Sequence, residues 1–365
     1  MTAASRQDPA DRNSTSVILM PYPGPKERNA YLHDLVAGLE AEGVRTARFS
    51  AARLVARPDA WHLHWPERYV QARGRPTRPF INLAKLAVFL VLAHVLGVRV
   101  VLTVHNLAPH EGNRIGRAAL ALSARACRVS LHLSASARYA ALDRWPTLRA
   151  KAALVTPHGT YAVGPLPAPF GEDETTFGFF GAIRPYKGVP GLLQAFSQLE
   201  GPYRLRVLGD PQTPDLAHEI EGAVAADRRA SARLEYVEDG DLLEELAAID
   251  VVVLPYTAIL NSGSAMHALS AGRPVVAPRL GSLTELAEQV GPRWMALFDG
   301  ALDAEDLRRA EACFRERAAP DPSARPELSA FSWHAIARAT LAAYGDTTPS
   351  PAQPTNPLHA TEVRS

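Results

Sequence analysis

Short apolar runs separated by helix-period segments constrain this chain more than any other feature. In its first half the runs are SVILMPY, WHLHW, VRVVLTVH, VSLHLSA and AALVTPH, and NAYLHDLVAGLEAEG, stopped by Gly43, has the period of a helix. The second half repeats the theme with TTFGFFGAI, a helix VPGLLQAFSQL, YRLRVLG, a helix near DLAHEIEGAVAAD, RLEYVE, a helix DLLEELAAI and VVVLP. Strands that alternate with helices build parallel βαβ units. Two such series predict an α/β protein with two Rossmann-like lobes, and ligands bind such sheets at the carboxyl ends of the strands. The Pro/Gly-rich and acidic VGPLPAPFGEDET, residues 163–175, reads as the join. The expected division is residues 16–165 and 166–345, with FSWHAIARATLAAY forming a last helix that packs back; residues 1–15 and 346–365 read as disordered.

A chain of 365 residues with 47% hydrophobic content suits two soluble domains of ordinary composition. Cys127 and Cys313 lie far apart without metal-type spacing, so neither a disulfide framework nor a zinc site is expected, which suits a reducing cytoplasm. The opening MTAASRQDPADRNSTS lacks the apolar core of a secretory signal. A net charge of +1 hides an asymmetry: residues 17–165 carry 20 Lys and Arg against 8 Asp and Glu, and residues 166–365 carry 17 against 28. A basic first lobe fits nucleic acid, anionic lipid, a phosphate-bearing substrate or no specific partner. No recognised nucleic-acid module accompanies it. FINLAKLAVFLVLAHVLGVRVVLTV approaches a membrane span, but Lys85, His94, Gly97 and Arg99 interrupt it, so a buried helix followed by a strand is expected. Arg68, Tyr69, Arg73, Arg75 and Arg78 precede it, the setting that interfacial membrane contact uses.

Two stretches of the second half carry phosphate chemistry. FGFFGAIRPYKGVPGLL is a strand, a turn at Gly181 and a helix start, with Arg184 and Lys187 placed to neutralise a diphosphate. VVVLPYTAILNSGSAMHALSAGRPVVAP sets Asn261, Ser262, Gly263 and Ser264 where a helix begins. Those residue types are ordinary N-caps, but an exposed helix start also binds anions. Gly209 ends a strand, where a missing side chain lets a ligand approach the backbone. The phosphate loop G-x-x-x-x-G-K-[ST] is missing, as is a G-x-G-x-x-G after the first strand.

FGAIRPYKGV and NSGSAMHALSAGRPVVAP resemble the donor-binding half of nucleotide-sugar glycosyltransferases with the two-lobed GT-B fold. With WHLHWPE, TVHNLAPHE and TPHGTY, the chain resembles the xanthan-type β-1,4-mannosyltransferase family from about residue 17 to about 345. The resemblance implies transfer from GDP-mannose to a polyprenyl-diphosphate-linked oligosaccharide, with inversion, in exopolysaccharide biosynthesis at the inner face of the cell membrane. It also implies that Glu285 meets the donor ribose, that Tyr236 and Val237 receive the base, and that His158 and Gly159 give a donor- or acceptor-side polar contact at the cleft; a hinge is the alternative reading of a loop glycine there. Retaining GT-B enzymes usually carry two glutamates eight positions apart around the phosphate helix; here those positions hold Ile259 and His267.

Inversion needs a base across the sugar from the phosphates, hence on the first lobe. Candidates are Glu111 first and His105 second, with Glu67; Asn106 and His110 complete the cluster, each segment following an apolar strand. Asp239-Gly240-Asp241 imitates a metal-binding D-x-D, yet Asp241 with Glu244 reads as the start of a helix. Arg184 and Lys187 already neutralise a leaving diphosphate, so no metal is expected. Alternatives are a related transferase using another UDP- or GDP-sugar, and a non-catalytic nucleotide-sugar binding component.

Overall fold

The computed structural model describes residues 14–24, 29–71, 76–108, 114–164, 166–171 and 174–345, apart from the Asp239 side chain. The first lobe runs β1 (Ser16–Met20), α1 (Ala30–Ala41), β2 (Arg45–Arg48), α2 (Ala51–Val55), β3 (Ala60–His64), α3 (Pro66–Tyr69), α4 (Arg78–Val95), β4 (Arg99–Val104), α5 (Arg114–Ala126), β5 (Val129–His132), α6 (Ala135–Arg144) and β6 (Ala152–Val155). The second runs β7 (Thr175–Phe180), α7 (Val189–Ser197), β8 (Tyr203–Leu208), α8 (Pro214–Ala226), β9 (Ala230–Arg233), α9 (Asp239–Ala247), β10 (Val251–Val253), α10 (Gly263–Ser270), β11 (Val275–Pro278), α11 (Gly281–Val290), β12 (Met295–Phe298) and α12 (Ala304–Ala318). A final helix, α13 (Trp333–Tyr344), closes the described chain.

Each lobe has one six-stranded parallel sheet, ordered β2-β1-β3-β4-β5-β6 and β12-β11-β10-β7-β8-β9. Chain direction across the sheet therefore reverses between β1 and β3 in the first lobe and between β7 and β10 in the second. Loops diverge above such a reversal and leave a crevice at the strand ends. The period-two alternation divides the first lobe's core: Trp61, Leu63 and Leu102 enter one cluster, and Val17, Leu19 and Val101 the other. The second core is continuous around Phe177, Phe179, Phe196 and Val251 to Val253.

Helix α13 belongs to the end of the chain but packs against α1, β4 and β5 of the first lobe. Its Tyr344 hydroxyl lies 2.7 Å from His62 Nδ1, and its Trp333 Nε1 donates to the Thr160 carbonyl at 2.7 Å. The Trp333 ring explains Gly159 in packing terms, because a Cβ there would lie 2.3 Å from Trp333 Cε2.

Four sequence expectations need correction or adjustment. Helix α4 is not a buried core helix: one face packs into the lobe through Leu86, Leu90 and Ala93, and the other carries exposed Phe80, Ile81, Val88, Val91 and Val95. RLEYVE is not a strand, since β9 ends at Arg233 and the following residues lead into α9. Asp241 does not cap α9; Glu238 holds the cap position and its side chain makes no capping bond to the helix, while Asp241 Oδ2 accepts from Arg233 Nη2 at 2.8 Å. Thr15, placed in the disordered start, accepts the Arg45 N–H at 2.8 Å through its carbonyl. Residues 1–13 and 346–365 lie outside the described residues.

Candidate functional site

Above the reversal in the second sheet lies a cavity of about 590 Å³, within the roughly 300–1,000 Å³ typical of small-molecule sites. Its walls come from the ends of β7 and β8, the start of α10, Tyr236 and Val237, with Asn29 and Ala30 facing from the first lobe. Bare backbone forms one wall: Gly181 (φ 116°) and Gly209 (φ 149°) adopt conformations that favour glycine, and a Cβ on Gly209 would lie 2.0 Å from the Gly181 carbonyl oxygen. Arg184 stands at the rim, pinned by bonds from Nη1 to the Ile183 and Asp210 carbonyls at 2.8 and 3.1 Å. Lys187 is turned instead onto Tyr256, with Nζ 3.0 Å from its hydroxyl and 4.6 Å from its ring centroid.

Gly263 and Ser264 present the amino end of α10, with its partial positive charge, to this cavity. Ser262 does cap the helix, its Oγ accepting the Ala265 N–H at 3.1 Å. Cap and cavity wall are thus neighbouring residues, and the two readings of this stretch do not compete. His267, one turn on, also lines the cavity, held between the Tyr161 ring (4.2 Å, 7°) and the edge of Phe180 (5.6 Å, 90°). Tyr161 from the interlobe segment was not assigned a role from sequence; only the spatial pairing with His267 brings it out.

A second cavity of about 140 Å³ lies beside the first and is lined by Asn261, Ser262, His158, Ser134, Ser282 and Glu285. Glu285 crosses from α11 to the other lobe, its carboxylate accepting the Ala135 and Ser136 N–H groups at 2.8 and 2.6 Å. It thereby satisfies the first turn of α6, where Ser134 Oγ accepts from Ala137 at 3.0 Å. Both amide atoms of Asn261 are buried without a hydrogen-bond partner among the described residues. The donor-type residues named from sequence therefore divide between two adjoining cavities, leaving Lys187 outside both.

Across from α10, an aromatic and imidazole cluster caps the first sheet. Tyr31 sits at its centre, with ring centroids 5.1 Å from His105, 5.2 Å from His158 and 5.2 Å from Trp333. His105 stacks on Trp65 at 3.9 Å, and its Nε2 lies 3.0 Å from His64 Nδ1. Burial, followed by His158, His62 and Arg68, pushes the His105 pKa well below the usual imidazole range. Burial lowers His158 too, against a raising bond to the Gly159 carbonyl at 2.9 Å. Glu67 is buried at the start of α3 and accepts the Asn106 side-chain N–H at 2.9 Å. His105, Asn106 and Glu67 are thus brought together, while His110 and Glu111 lie outside the described residues. Among the described residues no group of three or more His, Cys, Asp or Glu side chains could hold a metal ion.

Comparison with known proteins agrees with this architecture. Residues 174–310 match the family model "Glycosyl transferases group 1". The chain is 36% identical over 319 residues to the GDP-mannose:glycolipid 4-beta-D-mannosyltransferase of Xanthomonas campestris pv. campestris, covering 84% of this chain and 85% of that one. Similar solved structures include Anabaena HepE with UDP and glucose (TM-score 0.62, 15% identity, 90% of this chain and 98% of that chain). Another is the sucrose-phosphate synthase of Thermosynechococcus elongatus (TM-score 0.61, 19% identity, 91% and 98%). These bear out the expected two-lobed fold, and the mannosyltransferase match extends through both lobes. The chain is a GT-B glycosyltransferase, an enzyme belonging to the family of the GDP-mannose:glycolipid 4-beta-D-mannosyltransferases.

Proposed function

We propose that this enzyme transfers mannose from GDP-mannose to a polyprenyl-diphosphate-linked oligosaccharide, with inversion to a β linkage, in exopolysaccharide biosynthesis at the cytoplasmic face of the cell membrane. The observation that carries the reading is the 590 Å³ cavity with its glycine wall, Arg184 and the α10 amino end, in a chain related throughout both lobes to a GDP-mannose:glycolipid enzyme. In this reading the diphosphate lies along Gly181, Gly209, Gly263 and Ser264, and the guanine reaches Tyr236 and Val237. Asn261, Ser262 and Glu285 complete the donor side from the adjoining cavity, and Lys187 adds a cation from its place on Tyr256.

The acceptor enters over the first lobe, beside Asn106, His110, His158 and Gly159. Its hydroxyl oxygen bonds to the anomeric carbon as the bond to the diphosphate oxygen breaks, and the electron pair leaves with GDP. Arg184 and the helix end stabilise that developing charge, so the transfer needs no metal. The hydroxyl proton passes to a carboxylate: Glu111 is our first assignment and Glu67 the second. His105, whose basicity burial suppresses, is better suited to positioning. A panel of GDP- and UDP-sugars tests the donor through thermal stabilisation. GDP-mannose should raise the unfolding midpoint, whereas stabilisation by UDP-sugars alone would overturn the assignment. Loss of turnover with EDTA and its return with Mg²⁺ would overturn the metal-free chemistry.

A further inference from the structure

Helix α4 departs from the rule that core-facing helices turn charges outward. Phe80, Ile81, Val88, Val91 and Val95 point to solvent with exposures from 51% to 73%, and Ala84 is exposed with them. At 3.6 residues per turn these six fall within an arc of about 100°, a continuous apolar stripe about 22 Å long. Arg78 and Lys85 stand exposed along one edge of that arc. The neighbouring α5, packed against α4, carries exposed Arg114, Arg117 and Arg125. Isolated exposed apolar residues are ordinary, but a contiguous stripe of this length marks an interaction surface.

Charge decides between the occupants. A second copy docking through the same stripe would bring the basic edges of both helices together, like charge against like. A bilayer with anionic headgroups accepts the stripe among its acyl chains and the cations at its surface. Leu86, Leu90 and Ala93 anchor the opposite face of α4 in the lobe's core, so the helix lies along a membrane and does not cross it.

We propose that the outer face of α4 is a docking surface for an anionic lipid bilayer. The partner it names belongs to the transfer reading above, on which only the following consequence rests. The second turn of α4 is tied to α3 by Asn82 Nδ2 donating to the Tyr69 carbonyl at 2.8 Å. Glu67 lies on α3, so docking holds the acceptor side of the cleft next to the headgroup layer, where a lipid diphosphate sits.

Co-sedimentation with vesicles tests the docking without donor or acceptor, so its outcome is independent of the transfer chemistry. The full chain should pellet with vesicles containing phosphatidylglycerol and much less with phosphatidylcholine alone. Val88→Glu/Val91→Glu should weaken that binding at least about tenfold, since the apolar burial of two valines is replaced by two charges facing the acyl chains. Val88→Ser/Val91→Ser serves if the charged pair fails to fold, with circular dichroism as the check. Arg78→Glu/Lys85→Glu should remove the preference for anionic vesicles. Undiminished binding by both valine pairs would overturn the proposal. So would a concentration-dependent dimer in sedimentation velocity that the valine variants dissociate, with no vesicle binding by the parent chain.

Discussion

At Gly209 the argument is steric and unforgiving. The Gly209→Ala side chain would meet the Gly181 carbonyl at 2.0 Å in a backbone conformation that disfavours any Cβ. One wall of the 590 Å³ cavity has to move, so Gly209→Ala should abolish donor-induced thermal stabilisation. Normal stabilisation would show that this wall does not meet the donor. The base is tested by Glu111→Gln, Glu67→Gln and His105→Asn made singly. One carboxylate variant should lose about 10²- to 10⁴-fold in kcat with donor affinity kept. Near-parental turnover in all three would remove the base from this cluster. The phosphate stretch was legible in the sequence because its residues are consecutive. The pairing of His267 with Tyr161 was not, since it joins residues that only the fold brings together.

Among the elements, α6 and α11 form a direct link between the lobes. Glu285 was expected at the donor ribose, and in the fold its carboxylate takes two N–H groups of α6 across 150 and 149 residues of chain. Glu285→Gln keeps the size but removes the charge that faces the helix end. It should lower stability by about 1 kcal/mol, read as a drop in denaturation midpoint. An unchanged midpoint would mean that this contact does not hold the lobes. The central strands were plain in the sequence because burial on both faces leaves them as apolar runs. The strand RTAR (β2) lies at a sheet edge, and so does ASAR (β9); edge position lets them carry charge and hides them from a hydrophobicity reading. Helix α4 misled for the opposite reason. Apolar composition does not reveal whether a face meets protein or lipid.

Over the whole molecule, buried imidazoles set the pH response. Burial pushes His62 and His132 down to about 3 and also lowers His64, His105 and His158. These folded-state values lie below the unfolded value near 6.5, so the unfolded chain binds more protons through that interval. Their contribution is fully present above about pH 6.5 and is lost as pH falls toward 3, by up to about 1.4 kcal/mol per pH unit for each histidine. The thermal midpoint should therefore fall steeply below pH 6.5, and His62→Gln should flatten that fall. A flat profile between pH 7 and 4 would contradict the buried cluster.

The division of labour we propose across the molecule is donor on the second lobe, acceptor and base on the first, and bilayer against α4. Its central claim is transfer with inversion from GDP-mannose, and the new glycosidic bond reports on it directly. Purified enzyme, GDP-mannose and a lipid-linked oligosaccharide carrying a terminal acceptor sugar should give a product lengthened by one mannose. The one-bond carbon–proton coupling at its new anomeric centre, measured by NMR, should be that of a β-mannoside. An α-mannoside, or no transfer while a UDP-sugar is consumed, would contradict the account.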